Sequence, residues 1–171
     1  MGSMQNIVRR IFSGVDIPEG MSKPEFQTWM DARVTAFEDG GFMESTKLTP
    51  IVDDDGLVDV LAEADPKELL VVKFYKRGCL PCLSIAEAYK NAELKCRADG
   101  LNVRFLSINS KLPESEALVQ RQLVSGTPTV QTFVNGRQIG DEIQEMSSEK
   151  IMEKILSRMP RSTTTPLGRT D

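Results

Sequence analysis

The pentapeptide GCLPC at residues 78–82 closely follows the apolar run LLVVKFY at residues 69–75 and opens a segment with helical periodicity. A nearly continuous apolar run with β-branched and aromatic members predicts a central strand that is covered on both faces. Cys79 and Cys82 are therefore expected at a strand-to-helix turn. Free amide N–H groups and the helix dipole stabilise an anion there, so Cys79 should ionise more readily than an ordinary thiol. A Cys-x-x-Cys pair in this position indicates a redox motif.

The composition fits one globular domain with a small appendage. The 171 residues are 40% hydrophobic and 27% charged, with a formal net charge of -4, which allows one core of ordinary size. Scattered basic residues and few aromatics argue against nucleic acid as a partner. No apolar run reaches the roughly eighteen residues that a membrane-spanning helix needs. We therefore expect neither nucleic-acid nor membrane partners.

The chain has three cysteines and no histidine. Without imidazole, a cysteine or serine hydrolase and most zinc sites are not expected. The acidic triplet at residues 53–55 lacks the spacing of an EF-hand loop, so we predict no metal and no cofactor. Cys96 lies about 21 Å along the predicted helix from Cys82, too far for a disulfide, and is expected to be an inert core thiol.

The N-terminal residues carry a possible targeting signal. Residues 1–3 look like an expression scar, and the residues after them include Arg9 and Arg10 among apolar side chains, with no acidic residue before Asp16. This pattern is typical of the remnant of an organelle transit peptide, although a frayed amphipathic terminus would look the same. We expect residues 1–20 to be flexible and the protein to be mitochondrial, with a cytoplasmic location as the alternative.

Residues 21–48 are predicted to form a helical extension. The sequence Ser22-Lys23-Pro24-Glu25 combines a capping serine, an early proline and a glutamate three residues after the cap, and Gly40-Gly41 ends the pattern. One face of this helix carries an apolar stripe of Phe26, Trp29, Met30, Val34 and Phe37. Such a stripe requires a partner surface, which is either the chain's own core or another molecule.

Residues 49–160 show the alternating pattern of an α/β domain. The predicted elements are a short strand at 49–52, a helix after residue 56, a strand at 69–75, the helix opened by the cysteines, a strand at 103–108, a helix at 114–123, a strand at 129–134, its hairpin partner at 138–143 and a helix at 148–159. This order predicts an α/β sandwich with a mixed central sheet flanked by helices. Residues 161–171 are expected to be a disordered tail.

The order of elements, the Cys79-x-x-Cys82 turn and the segment at residues 126–129 together resemble the thioredoxin family, over roughly residues 49–159. The resemblance implies a thioredoxin-like fold, with Cys79 as nucleophile and Cys82 as resolving cysteine. It also implies a cis peptide bond between Thr127 and Pro128, facing Cys79. Leu80, Thr127 and Pro128 are then the expected substrate contacts.

Two departures from the family bear on function. Lys73 stands where reductases of the family keep a buried aspartate that exchanges a proton with the resolving cysteine. A lysine there either stays charged and favours thiolate or loses its proton, and neither form reproduces the carboxylate. Gly78 stands where typical thioredoxins have an aromatic residue, and Leu80 adds an alkyl group to the motif surface. We expect Lys73 and Gly78 to modulate the dithiol and to weaken general reductase activity.

Three functions follow from these features. The favoured hypothesis is a redox-responsive chaperone that binds unfolded or thiol-containing client proteins and is weak or inactive as a general disulfide reductase. The alternative is a thiol–disulfide oxidoreductase that uses Cys79 as nucleophile and Cys82 as resolving cysteine. A second alternative is a non-catalytic subunit of an organelle assembly, in which the extra helix docks permanently.

Overall fold

The computed structural model describes residues 18–41 and 54–160. The predicted strand at 49–52, the targeting segment and the C-terminal tail lie outside the described residues. None of the helices in the described ranges has the length and hydropathy needed to cross a membrane.

The helices and strands follow the predicted order. They are α1 (Lys23–Asp39), α2 (Asp54–Glu63), β1 (Leu69–Tyr75), α3 (Leu80–Ala98), β2 (Val103–Asn109), a 3-10 turn (Pro113–Ser115), α4 (Glu116–Arg121), β3 (Thr129–Val134), β4 (Arg137–Ile139) and α5 (Ser148–Arg158).

The described strands form a four-stranded mixed sheet in the order β2-β1-β3-β4. Strand β1 runs parallel to β2 and antiparallel to β3, and β3 pairs antiparallel with β4. All seven residues of β1 are buried, as expected for a central strand covered on both faces. The fold is the predicted α/β sandwich with a thioredoxin-like order of elements.

Helices cover both faces of the sheet. The face that carries Leu69 and Val71 packs on α3 and α5 through residues such as Tyr89 and Ile151. The opposite face, with Leu70, Val72 and Phe74, packs with Leu57 of α2 and Leu118 of α4. Because side chains alternate along a strand, successive residues of β1 supply the two faces in turn. The cysteine turn is consequently anchored to a strand that is fixed from both sides.

Helix α1 packs on its own domain. The predicted capping box is present, since the Ser22 hydroxyl accepts from the Glu25 amide and the Glu25 carboxylate accepts from the Ser22 amide. Met30, the most deeply buried residue of the stripe, packs with residues around the cysteine turn. We call this group the dithiol cluster: Met30, Tyr75, Cys79, Cys82, Leu83 and Ala86, with Phe26, Trp29, Val34, Phe37 and Leu80 partly buried against them.

Two predicted elements differ from the observed ones. The strand expected at 138–143 is only the three-residue β4, because Gly140 adopts a φ of +66° and turns the chain. The Ile143 amide still donates to the Val130 carbonyl, although the ladder has ended. The helix expected at 114–123 is divided into the 3-10 turn and α4, which ends before Leu123 adopts a φ of +55°.

Candidate redox site

Cys79 and Cys82 form a disulfide at the start of α3, with their Cα atoms 5.2 Å apart. Cys79 is the N-cap residue of this helix, and its sulfur accepts a hydrogen bond from the Cys82 amide at 3.2 Å. After reduction, the same amide and the helix dipole stabilise a thiolate on Cys79. The strand-to-helix turn predicted from the sequence therefore supplies the environment expected for a nucleophilic thiol.

The segment at Thr127 and Pro128 lies directly against the sulfur of Cys79. The Thr127–Pro128 peptide bond is cis, as the resemblance implies. The Thr127 carbonyl oxygen lies 3.6 Å from Cys79 Sγ, and the Thr127 hydroxyl donates to the same sulfur at 3.5 Å. Forty-eight residues separate these two positions in the chain, and strand β3, paired with β1, brings them together.

A groove of about 280 Å³ runs beside the disulfide. One wall is the first turns of α3, and the opposite wall consists of Pro128, Thr129 and the segment that follows β4. The groove is lined by Pro81, Ser84, Ile85, Pro128, Thr129, Glu142, Ile143, Gln144, Glu145 and Met146. An extended peptide segment can lie there with its disulfide near Cys79. The contribution of residues 142–146 was not predicted, because the sequence analysis placed the second strand of the hairpin at 138–143, whereas β4 ends at Ile139.

Leu80 differs from its predicted setting. It was expected to present an exposed alkyl group on the motif surface, but it is partly buried and packs against the dithiol cluster. The physical reason is α1, whose apolar stripe covers this part of the turn. Cys79 itself is 5% exposed and Cys82 is 1% exposed, so Cys79 is the more accessible sulfur of the pair.

Lys73 is buried, with 7% of its surface exposed. On β1 it lies between Val71, which belongs to the α3 and α5 core, and Tyr75, which belongs to the dithiol cluster. Its side chain lines a small cleft together with Tyr89 and Glu93 of α3 and Ser107 of β2. The structure thus places the amine of Lys73 in the same cleft as the buried carboxylate of Glu93.

Glu38 of α1 contacts the turn immediately before Cys79. One oxygen of its carboxylate accepts from the Gly78 amide at 2.6 Å, and the other accepts from Arg77 Nε at 2.9 Å. Sequence reasoning missed this contact. One signal was available: two acidic residues, Glu38 and Asp39, end a helix that has no basic residue in its last turn. Carboxylates there oppose the helix dipole and require a cation from elsewhere.

The sequence pattern of the family described as thioredoxin matches residues 52–157, which is more than half of the chain. The chain belongs to the thioredoxin family. The match includes the cysteine turn, Lys73 and the Thr127–Pro128 segment, whereas α1 lies outside it.

Sequence relatives of this thioredoxin-family chain are larger proteins. The protein disulfide-isomerase of Gallus gallus is 26% identical over 119 residues, which are 67% of this chain and 22% of that protein. The peptide-N(4)-(N-acetyl-beta-glucosaminyl)asparagine amidase of Caenorhabditis briggsae is 25% identical over 115 residues, 67% of this chain and 18% of the relative. The chain therefore spans about a fifth of the length of these relatives.

Solved thioredoxins share the fold. Mitochondrial thioredoxin 3 from Saccharomyces cerevisiae superimposes with a TM-score of 0.52 at 20% identity, covering 64% of this chain and 94% of that one. Thioredoxin from Trypanosoma brucei brucei gives a TM-score of 0.54 at 15% identity, covering 65% of this chain and 89% of that one. Identities this low carry information on the fold alone.

Proposed function

We propose that this thioredoxin-family chain exchanges thiols and disulfides at Cys79. The observation that carries the proposal is the position of Cys79 Sγ, which accepts from the Cys82 amide and the Thr127 hydroxyl in a turn whose Pro81 lines an open groove. Two donors to one sulfur favour its thiolate after reduction. The family match and the likeness to a protein disulfide-isomerase support the same chemistry.

The reaction proceeds in two displacements. The Cys79 thiolate attacks a substrate disulfide, so that a bond forms between Cys79 and one substrate sulfur while the other leaves as a thiolate. The Cys82 thiolate then attacks Cys79 Sγ, which closes the Cys79–Cys82 disulfide and releases the second substrate thiol. Two electrons pass from the dithiol to the substrate, and an external dithiol such as dithiothreitol restores the reduced pair.

We propose further that this exchange is slow compared with that of a general disulfide reductase. Cys82 is 1% exposed, so its proton must leave to a group inside the protein or to water that enters the turn. Lys73 in its charged form cannot accept that proton, and keeping the lysine neutral costs free energy at pH 7. The resolving step is therefore the expected bottleneck.

Client binding is the second candidate function, and the packing of α1 favours it. Helix α1 presents Phe26, Trp29 and Phe37 to the dithiol cluster but buries none of them fully. An element outside the sheet can open at a lower free energy than the core, and its release would uncover apolar surface next to the disulfide. In this proposal unfolded or thiol-containing proteins bind that apolar surface, and the redox state of Cys79 and Cys82 controls how much of the surface is exposed.

The remaining proposals concern location and assembly. Arg9 and Arg10, without acidic neighbours before Asp16, support the proposal that the protein is mitochondrial. A permanent subunit of a larger assembly is less well supported, because the apolar stripe of α1 that was its basis packs on the chain's own domain.

One pair of assays tests both functions. The first is reduction of insulin with dithiothreitol as the recycling reductant, and the second is light scattering of a heat-labile client protein. Loss of insulin reduction in Cys79→Ser, with Cys96→Ala as the matched control that keeps activity, supports exchange. Equal suppression of scattering by wild type and Cys79→Ser supports binding that does not need the thiols. If wild-type protein reduces no insulin above the background of dithiothreitol, the exchange proposal is wrong.

A further inference from the structure

The acidic end of α1 and the residues before Cys79 form one buried ionic contact. Glu38 is 8% exposed and uses both carboxylate oxygens, one on the Gly78 amide and one on Arg77 Nε. The Arg77 guanidinium also pairs with Asp39. Hydrogen bonds to Asp39 first, and to Glu38 second, raise the pKa of Arg77. The contact joins a helix outside the thioredoxin match to the residue that precedes the nucleophile.

Gly78 is suited to this contact. Its φ of +76° is a backbone conformation that residues with side chains rarely adopt. In this conformation the Gly78 amide donates to Glu38 at 2.6 Å. A Cβ built at Gly78 would meet nothing within 4 Å, so the local role of the glycine is to adopt the positive φ at which its amide faces the Glu38 carboxylate, rather than to leave space for it.

Charged groups from α1, from the residues before Cys79 and from α3 lie at or near this contact in the described part of the chain. Arg77 and Asp39 are its ionic neighbours, and on α3 the Lys90 ammonium donates to the Gly41 carbonyl at 2.5 Å, just beyond the end of α1. A carboxylate near a sulfur disfavours the thiolate, whereas a guanidinium favours it. Because Glu38 is almost completely buried, water screens its charge less than that of Asp39, whose side chain is 61% exposed.

We propose that Glu38 is a positioning residue for Cys79: it holds the cysteine turn against α1, and its charge, opposed by that of Arg77, sets the reactivity of the Cys79 thiol. The proposal rests on thiol–disulfide exchange as the proposed function. If docked α1 disfavours the Cys79 thiolate through Glu38, then by linkage a thiolate formed on Cys79 after reduction weakens the docking of α1. The docking equilibrium and the ionisation equilibrium change by the same factor. Helix α1 is then a regulatory element of the redox site.

Opposite charge changes at the two partners provide the test. Full-length Glu38→Gln and Arg77→Gln are reduced with dithiothreitol, freed of it and treated with iodoacetamide from pH 5 to 10, and alkylation of Cys79 is followed by peptide mass spectrometry. Glutamine at position 38 can still accept from the Gly78 amide but carries no charge. A one-unit change in thiol pKa alters the rate below that pKa by about threefold, since lower basicity partly offsets the larger thiolate fraction.

We expect Glu38→Gln to lower the apparent pKa of Cys79 and raise the rate about threefold, and Arg77→Gln to do the reverse. Asp39→Asn is the matched control, because Asp39 pairs with Arg77 from an exposed position, and it should change the rate by less than about twofold. Unchanged alkylation rates in both variants would overturn the proposal. Faster alkylation in both variants would also overturn it, because loosening of the turn exposes Cys79 whichever charge is removed.

The test stays decisive if one variant fails to fold. Arg77 is half exposed, so Arg77→Gln is the safer variant, and its expected decrease in rate is opposite to what loosening produces. Insulin reduction by the same samples separates the two proposals. If the two variants shift the Cys79 alkylation rate in opposite directions but wild-type protein does not reduce insulin, Glu38 is a positioning residue and exchange is not the function. If wild-type protein reduces insulin but the two variants do not shift the alkylation rate, exchange stands and the role of Glu38 is rejected.

Discussion

The Lys73 ammonium lies 5.6 Å from the centre of the Tyr89 ring. The sheet and α3 remove the ammonium from water, which costs free energy when the group is charged. The face of the Tyr89 ring offsets part of this desolvation cost. Tyr89 is itself buried, and burial first, followed by the charge of Glu145, raises the pKa of its hydroxyl. The phenol therefore stays neutral at physiological pH and does not neutralise the lysine.

Restoring a carboxylate at residue 73 should speed the resolving step. We expect Lys73→Asp to raise insulin reduction at least about tenfold, because a positioned base commonly contributes more than that to a proton transfer. The measurement is turnover with dithiothreitol as reductant, together with urea unfolding to establish that the variant is folded. Turnover equal to that of wild type in folded protein would show that proton removal from Cys82 does not limit the reaction.

Lys73→Met is the matched control, since it keeps most of the volume and removes the charge. Its free energy of unfolding should not rise, because the Lys73 side chain lies over the Tyr89 ring and shares a cleft with the buried Glu93 carboxylate, so the substitution removes one partner of buried contacts. Turnover should not rise as it does for Lys73→Asp. If both variants are equally fast, the lysine slows exchange by its own charge and the carboxylate has no specific role.

Most of the fold could be predicted from the sequence, because its strongest signals are local. The run at 69–75 is β1 over its full length, and the cysteines lie at the strand-to-helix turn where they were expected. The capping box at Ser22 is also present. In each case the residues that produce the pattern are neighbours in the chain, so spacing alone was sufficient.

Features of the site that depend on distant residues were harder to predict. Glu38 and Arg77 are 39 positions apart in the chain, and no pattern in the intervening sequence shows how α1 is oriented on the domain. The apolar stripe predicted that the helix would dock, but its spacing does not specify which surface it meets. The predicted exposure of Leu80 was wrong for the same reason, because the sequence does not show that α1 packs over this residue.

Helix α1 should separate from the domain before the domain unfolds. Trp29 is the only tryptophan in the chain, so its fluorescence reports on α1 alone. Met30 is 5% exposed within the dithiol cluster, and truncating a buried methionine to alanine costs about 2–5 kcal/mol. We expect Met30→Ala to move the Trp29 transition to lower urea while the far-ultraviolet circular dichroism transition of the domain stays nearly unchanged.

Leu156→Ala serves as the control for this experiment. Leu156 is a large apolar residue of α5 that is 53% exposed, so its truncation should shift neither transition appreciably. Coincident transitions by both probes in Met30→Ala would show that α1 unfolds with the domain, which would remove the basis for α1 as a releasable cover over a client-binding surface.

The Thr127 hydroxyl should contribute to the reactivity of Cys79. It donates to the sulfur at 3.5 Å, and the hydrogen bond is stronger when the acceptor is a thiolate. We expect Thr127→Val, which keeps the shape and removes the donor, to slow iodoacetamide alkylation of Cys79 by about twofold to threefold below its pKa. Thr132→Val, on β3, loses a hydroxyl that donates to the Ile139 carbonyl and accepts from Arg158 Nη1, and in folded protein it should leave the rate unchanged.

Cys96 should make the protein less stable in alkali. It is a free, buried thiol of α3, and burial, followed by the charges of Asp99 and Glu93, raises its pKa to about 11. The unfolded thiol loses its proton near its ordinary pKa of about 8.5. Between these values the folded state binds more protons than the unfolded state, so the free energy of unfolding falls as pH rises through this window.

The decrease attributable to Cys96 should reach about 1–3 kcal/mol by pH 10.5 and be absent below pH 8. Urea unfolding of wild type and Cys96→Ala from pH 7 to 10.5 measures it. The alanine variant is expected to be less stable at neutral pH, because Cys96 packs with its sulfur 3.5 Å from Met152 Sδ, but to lose less stability with rising pH. The raised pKa of Tyr89 acts in both proteins and cancels in the comparison, so parallel pH profiles would mean that Cys96 ionises equally in the folded and unfolded states.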